Sequence, residues 1–176
     1  MSKSRSPQSP RLPEARNELI LLLHDDYVGS VIGPKGSTIR RLQWQAHTTI
    51  KVSGADEPFY PHPGLKFARM VTIISSSNAA MDAAQQLILM QVVQNYSKSF
   101  NEVSVVVPDD KTGQLIGKKG AHFDEIKSVC VQAELSKRDE GAAGERTLTL
   151  EGDVAQITRA LRLVIDFLFH DHDANR

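Results

Sequence analysis

The chain repeats itself. Residues Glu18–Gly36 (ELILLLHDDYVGSVIGPKG) align without a gap on Glu102–Gly120 (EVSVVVPDDKTGQLIGKKG), 84 positions further on. Glu, Asp-Asp, Gly, Ile-Gly, Lys and Gly coincide at matching places. A match of that length between two halves of one chain is the mark of duplication, and a period this long cannot be a solenoid repeat. The 176 residues therefore divide into two units of similar size. The division reads as a tail over 1–14, a first unit over 15–95, a linker over 96–101, a second unit over 102–170 and a tail over 171–176. The first tail is rich in Ser, Pro and Arg, a composition that predicts disorder.

Each unit carries the same order of elements. An apolar strand comes first, at Leu19–His24 and Val103–Pro108. Asp25-Asp26 and Asp109-Asp110 read as N-cap residues of a short helix that must stop at Gly33 and Gly117. A second helix follows, with Ile39, Leu42 and Ala46 matched by Phe123, Ile126 and Cys130 at helical spacing. Alternating strands are predicted at Thr48–Ser53 and Val131–Ser136. Polar loops at Gly54–Lys66 and Lys137–Glu145 lead to third strands at Arg69–Ile74 and Arg146–Leu150. Long helices close the units near Ala79–Gln94 and Val154–Phe169. The fold class is α+β, in the order β-α-α-β-β-α twice, each copy a three-stranded antiparallel sheet packed on three helices.

Composition narrows the function. The chain is 40% apolar and 24% charged, with a formal net charge of zero. Residues 1–97 hold ten Lys/Arg against seven Asp/Glu, and residues 98–176 hold eleven against fourteen. Neither half has the strong basic footprint of a duplex-DNA binder, so any nucleic acid must be held by a local groove. The single cysteine, Cys130, excludes a disulfide framework and a four-cysteine zinc site. It reads as a small buried hydrophobe on its helix. A reducing compartment, nucleus or cytoplasm, is the expected home. No apolar run spans a bilayer, so no membrane role is expected, and the N-terminus lacks the apolar core of a secretory signal. No nucleophile–base set recurs in both copies, so an enzyme is not expected; neither is a cofactor or a metal. His170-Asp171-His172-Asp173 reads as a solvated end, and Trp44 as a partly buried surface aromatic.

The chemistry concentrates in Gly33-Pro34-Lys35-Gly36 and Gly117-Lys118-Lys119-Gly120. Glycines let the backbone turn sharply and let a ligand approach closely. Amides beside the following helix N-terminus favour an anion such as phosphate, and the lysines add charge. A Walker A loop is excluded, because the preceding glycines lie at the wrong spacing and follow a helix.

These loops sit in longer motifs, VIGPKGSTI (31–39) and LIGKKGAHF (115–123), which resemble the VIGxxGxxI core of type I KH (K-homology) domains. Among tandem KH proteins the chain is similar to the poly(C)-binding proteins, heterogeneous nuclear ribonucleoprotein K and Nova. The resemblance implies single-stranded RNA as partner, with single-stranded DNA the alternative the sequence leaves open. It implies that each GxxG loop clamps the backbone of about four nucleotides. The bases would lie on an apolar platform: Val28, Gly29, Ile32, Ile39, Ile50 and Val52 in the first copy; Thr112, Gly113, Ile116, Phe123, Ala133 and Leu135 in the second. In poly(C)-binding relatives a basic residue late in the second helix and an arginine opening the third strand contact cytosine. The second copy keeps both types, as Lys127 and Arg146. The first keeps Arg69 but has Gln43 at the helix position. Arg40 and Lys51 complete the first set, and Glu134 stands where Lys51 does. The expected function is non-catalytic, sequence-preferring binding of pyrimidine-rich RNA in mRNA processing, stability or translation. A protein-interaction scaffold built on the same folds is the alternative. The surplus apolar surface of the first strands and closing helices predicts that the copies dock through them as a pseudo-dimer with grooves facing apart; the same strand edge and helices would also suit a protein partner or a homodimer.

Overall fold

A computed structural model describes residues 16–96 and 98–169. The terminal tails, including the His170–Asp173 tract, lie outside the described residues. The elements run β1 (Asn17–His24), α1 (Asp25–Ile32), α2 (Ser37–Ala46), β2 (Thr49–Val52), β3 (Ala68–Ser75), α3 (Asn78–Tyr96), β4 (Glu102–Pro108), α4 (Thr112–Ile116), α5 (Ala121–Val129), β5 (Gln132–Leu135), β6 (Glu145–Glu151) and α6 (Val154–Leu168). The order β-α-α-β-β-α is present twice. α1 does not start on an aspartate cap as expected. His24 is the N-cap, its Nδ1 accepting from the Asp26 N–H at 3.2 Å, and both aspartates lie in the first turn. There they face the positive end of the helix dipole.

The two three-stranded sheets are one. Six strands run in the order β2-β3-β1-β4-β6-β5. The join is antiparallel pairing of β1 with β4, at Ile20↔Val106, Leu21↔Val105 and Leu22↔Ser104. Leu21 thus faces its own counterpart in the repeat, and the flanking pairs exchange counterparts. A pseudo-twofold axis passes through the Leu21–Val105 pair, the self-complementary geometry of an isologous dimer written into one chain.

All six helices contribute to a single core on one face of this sheet. Leu19, Leu21 and Leu23 meet Val103, Val105 and Val107 there. α3 buries Met81, Ala84, Gln85, Ile88, Leu89 and Val92, and each position recurs 76 residues later among the buried residues of α6: Ile157, Ala160, Leu161, Val164, Ile165 and Leu168. Gln85 is the polar exception. Its Nε2 donates to Asp82 Oδ1 at 2.8 Å and reaches the Thr158 carbonyl of α6 at 3.4 Å. Asp82 also accepts from Gln86 Nε2 at 3.0 Å and from Arg162 Nε at 2.9 Å. One carboxylate therefore ties the two closing helices together.

The opposite sheet face explains why β1 is apolar on both sides. Leu22 and Val106 are buried there with Tyr60 and Ala68, flanked by Ile20, Leu65 and Met70. The segment between β2 and β3, read from the sequence as a polar loop, is a cover that crosses both units. Tyr60 is bridged to Ala68, and its hydroxyl donates to Glu145 Oε2 of the second unit at 2.8 Å. Burial and that carboxylate both push the phenol's pKa up. His62 Nε2 lies 2.9 Å from Ser104 Oγ on β4, and burial holds its pKa below the usual histidine range. The connection after α3 is packed as well. Phe100 is buried, and Tyr27, Tyr96 and Phe100 form a ring cluster with centroids 4.9 and 5.8 Å from Tyr27.

Replacing Asp82 by Ala would leave the buried Gln85 amide with only the long contact to Thr158 and would remove the Arg162 ion pair. A loss of about 1–3 kcal/mol is expected, measured by urea unfolding of the full chain. Gln85→Leu, which restores the residue type found at the matching position in α6, should cost less than Asp82→Ala.

Candidate nucleic-acid interface

Two loops of the same shape end α1 and α4. Gly33 and Gly117 adopt φ/ψ of 71°/176° and 74°/176°, a region essentially closed to other residues. Their amides close onto the carbonyls of Gly29 and Gly113 at 2.9 and 3.0 Å. A Cβ on Gly33 would lie 2.1 Å from Thr38 Oγ1, and one on Gly117 would lie 2.5 Å from the His122 ring. Lys35 and Lys119 sit in the left-handed region at φ 51° and 55°, and Gly36 and Gly120 follow at φ 73° and 79°. Arg40 supports the first loop, its Nη1 donating to the Lys35 carbonyl at 3.0 Å. The loop lysines themselves are exposed.

Gly36 and Gly120 are the N-caps of α2 and α5, and neither helix start is capped by a side chain. Amides at an uncapped N-terminus, under the positive end of the helix dipole and beside exposed lysines, suit a phosphate. Pro34 has no N–H, whereas Lys118 has one. The second loop therefore offers an extra amide and an extra lysine.

The platform residues separate by depth. Ile32, Ile39 and Val52 are half-buried at the core's edge, as are Phe123 and Leu135, and Ile116 is also half-buried. Ile50 and Ala133 are buried behind them. Val28 has no exposed surface, and Thr112 at its matching position is buried with its hydroxyl on the Pro108 carbonyl at 3.3 Å. These two hold α1 and α4 in place and offer no contact surface. Gly29 and Gly113 are exposed, and a Cβ on either would meet nothing within 4 Å. Lys51 is not brought together with the platform. Strand alternation turns it to the sheet face away from Ile50 and Val52. The same rule turns Glu134 away from Ala133 and Leu135, and Glu134 lines the opposite face with His62, Glu102 and Glu151.

The polar residues expected to read bases differ between the copies. In the first, Arg69 is occupied. Its Nη1 pairs with Asp25 Oδ1 at 3.0 Å, and its Nε and Nη2 both donate to the Ser53 carbonyl. Gln43 is occupied too, its Oε1 accepting from the Ile50 N–H at 2.9 Å. In the second copy Arg146 donates through Nε to the Ser136 carbonyl at 2.6 Å, and its terminal nitrogens make no hydrogen bond or ion pair among the described residues. Asp109, at the place of Asp25, does not pair with it, and Asp109 Oδ1 is buried without a hydrogen-bond partner. Lys127 is exposed, its Nζ 4.7 Å from the Phe123 ring centroid.

Asp25 and Ser53 are partners of Arg69 that the sequence does not flag. The Asp-Asp repeat is the available signal, and in the sequence it reads as a helix cap. Trp44 lies 77% exposed on α2, further out than expected. Cys130 is buried, and that burial raises its thiol pKa, in keeping with a packing role.

The KH domain family model matches residues 18–90 and 102–166. The chain belongs to the KH domain family and carries two copies of the domain, a non-catalytic RNA-binding fold. Among solved structures it is similar to a chain in the a/eIF2alpha–aDim2p–rRNA complex from Pyrococcus horikoshii OT3, at 15% identity and TM-score 0.31, covering 87% of this chain and 85% of that one. It is similar to Dim2p from the same organism, at 16% identity and TM-score 0.30, with coverage of 86% and 90%. A protein of unknown function from Aeropyrum pernix matches at 14% identity and TM-score 0.33, with coverage of 86% and 82%.

The glycines give a test that separates folding from binding. Gly33→Ala and Gly117→Ala force a side chain into a glycine-only conformation and should lower stability by about 1–3 kcal/mol each. Gly29→Ala and Gly113→Ala fill open space on a helix and should raise stability by about 0.5–1 kcal/mol. The latter pair should nonetheless weaken nucleic-acid binding by placing a methyl group in each groove. Thermal melts and a binding titration on the four variants check this.

Proposed function

We propose that the chain binds pyrimidine-rich single-stranded RNA through both grooves, with base identity read mainly in the second. The observation that carries this is the unequal state of the two arginines. Arg69 spends all three nitrogens on Asp25 and Ser53. Arg146 makes one hydrogen bond and keeps the fork geometry that recognises a base edge. Lys127 adds a second cation beside the same platform, the pair that the likeness to poly(C)-binding proteins associates with cytosine. The first groove keeps its phosphate clamp and apolar floor, which bind backbone and stack bases with little discrimination. Such a protein would act on mRNA processing, stability or translation, in the nucleus or the cytoplasm.

Titration against the four homopolymer RNAs, with DNA versions alongside, tests the reading. Oligocytidylate or oligouridylate should bind tightest, and RNA should bind at least as well as DNA. Replacing Lys118-Lys119 by Asp-Asp should weaken all sequences together. Aspartate tolerates the left-handed conformation at 119, so the fold should persist. Lys127→Ala and Arg146→Ala should each cost about 1–3 kcal/mol for the preferred homopolymer, by analogy with base-edge contacts in duplex DNA. Equal losses on all four homopolymers would make these residues phosphate contacts and end the claim of base reading.

A further inference from the structure

One set of aromatic side chains has no part in the grooves as described. Phe59 and Phe67 are exposed by 40% and 44%, with ring centroids 5.2 Å apart in an edge-to-face pair. Phe67 is followed by His24, 5.9 Å away and again edge-to-face, and His24 by Tyr27 at 6.1 Å. The row adjoins the first groove. Asp25 donates its N–H to the Phe67 carbonyl at 3.0 Å, and its carboxylate holds Arg69. Arg69 in turn is bonded to Ser53, just beyond the end of β2. The arginine thus bridges two walls of the groove, and Phe67 stands immediately outside it.

The row is also held stiffly. Pro58, Pro61 and Pro63 restrict the backbone around Phe59. Tyr60 is anchored beneath, through its bridge to Ala68 and its bond to Glu145. Phe59 is therefore presented outward from a segment whose ordering cost is already met by the fold. Lys66 is exposed beside Phe67. Exposed rings on a rigid support, a neighbouring cation and continuity with a phosphate clamp are the ingredients of a stacking platform for single-stranded nucleic acid. The second copy has no equivalent. Its corresponding loop, between Ser136 and Glu145, contains no aromatic residue.

We propose that Phe59 and Phe67 form a base-stacking subsite that extends the first groove, so that this unit engages a longer stretch of strand than its clamp alone. The proposal rests on the nucleic-acid reading above. It gives the first unit, whose arginine is occupied, a sequence-tolerant source of affinity.

The test uses the full chain with Lys118-Lys119→Asp-Asp, so that binding reports the first groove, and oligocytidylates of four and ten nucleotides. The decamer should bind more tightly than the tetramer. Phe59→Leu with Phe67→Leu keeps apolar packing but removes the ring faces. That pair should lower decamer affinity about five- to tenfold and leave tetramer affinity within about twofold. Base protons of the decamer should shift upfield in the phenylalanine form only. If neither oligomer binds the unmodified chain, the nucleic-acid reading falls and the subsite falls with it. If only the second groove binds, or if the decamer's advantage survives the leucine pair, the subsite alone is overturned, and the exposed rings are left to a protein partner.

Discussion

The β1–β4 pairing organises the whole molecule. A single β-α-α-β-β-α unit of this sequence would leave the edge of β1 unpaired and one face of α3 bare. An apolar strand edge of that kind is a template for aggregation. Here the edge is closed by its own duplicate, in a register that places Leu21 opposite Val105. The pairing sets α3 against α6, whose buried positions match one for one. It also lines up the outer faces of β1 and β4, so that the segment carrying Tyr60 and His62 can lie across both. Sheet, helix pair and cover each depend on that register, because a one-residue slip would turn every buried side chain to the wrong face.

The functional consequence is separation. β2 and β5 are the two edge strands, at opposite ends of the sheet. Five strand spacings of about 4.8 Å put them roughly 24 Å apart. Each groove is built against its own edge strand, so one short run of nucleotides cannot fill both. A strand that engages both must carry two sites joined by a spacer, and the gain from the second then comes from tethering. The copies have also diverged in their chemistry. Asp25 occupies Arg69 while Asp109 leaves Arg146 uncommitted, and the first unit alone carries the aromatic row.

Much of this was legible in the residues. The 84-residue offset exposed the duplication, and the Ile-Gly lead into each GxxG loop located the turn between helices. Both depend on local patterns that a linear reading preserves. The apolar residues on both faces of Leu19–Leu23 signalled a buried interface, but not that one face would be covered from the first unit's own loop. Phe59, Tyr60 and Leu65 lie among three prolines, which masked their apolar character. The occupation of Arg69 was invisible, since Asp25 is 44 positions away and reads as a helix cap. Lys51 reads as a binding residue from its place on the second strand, and strand alternation sends it to the face away from Ile50 and Val52.

The shared sheet holds the two grooves in one fixed relation. Residual dipolar couplings of the backbone amides test it most directly. If the sheet is continuous, one alignment tensor fits the couplings of residues 16–96 and 102–169 together, and the amides of Ile20, Leu22, Ser104 and Val106, which face the β1–β4 join, are protected from exchange. Two distinct tensors, with rapid exchange at those amides, would mean that the two units move independently and the sheet is not continuous.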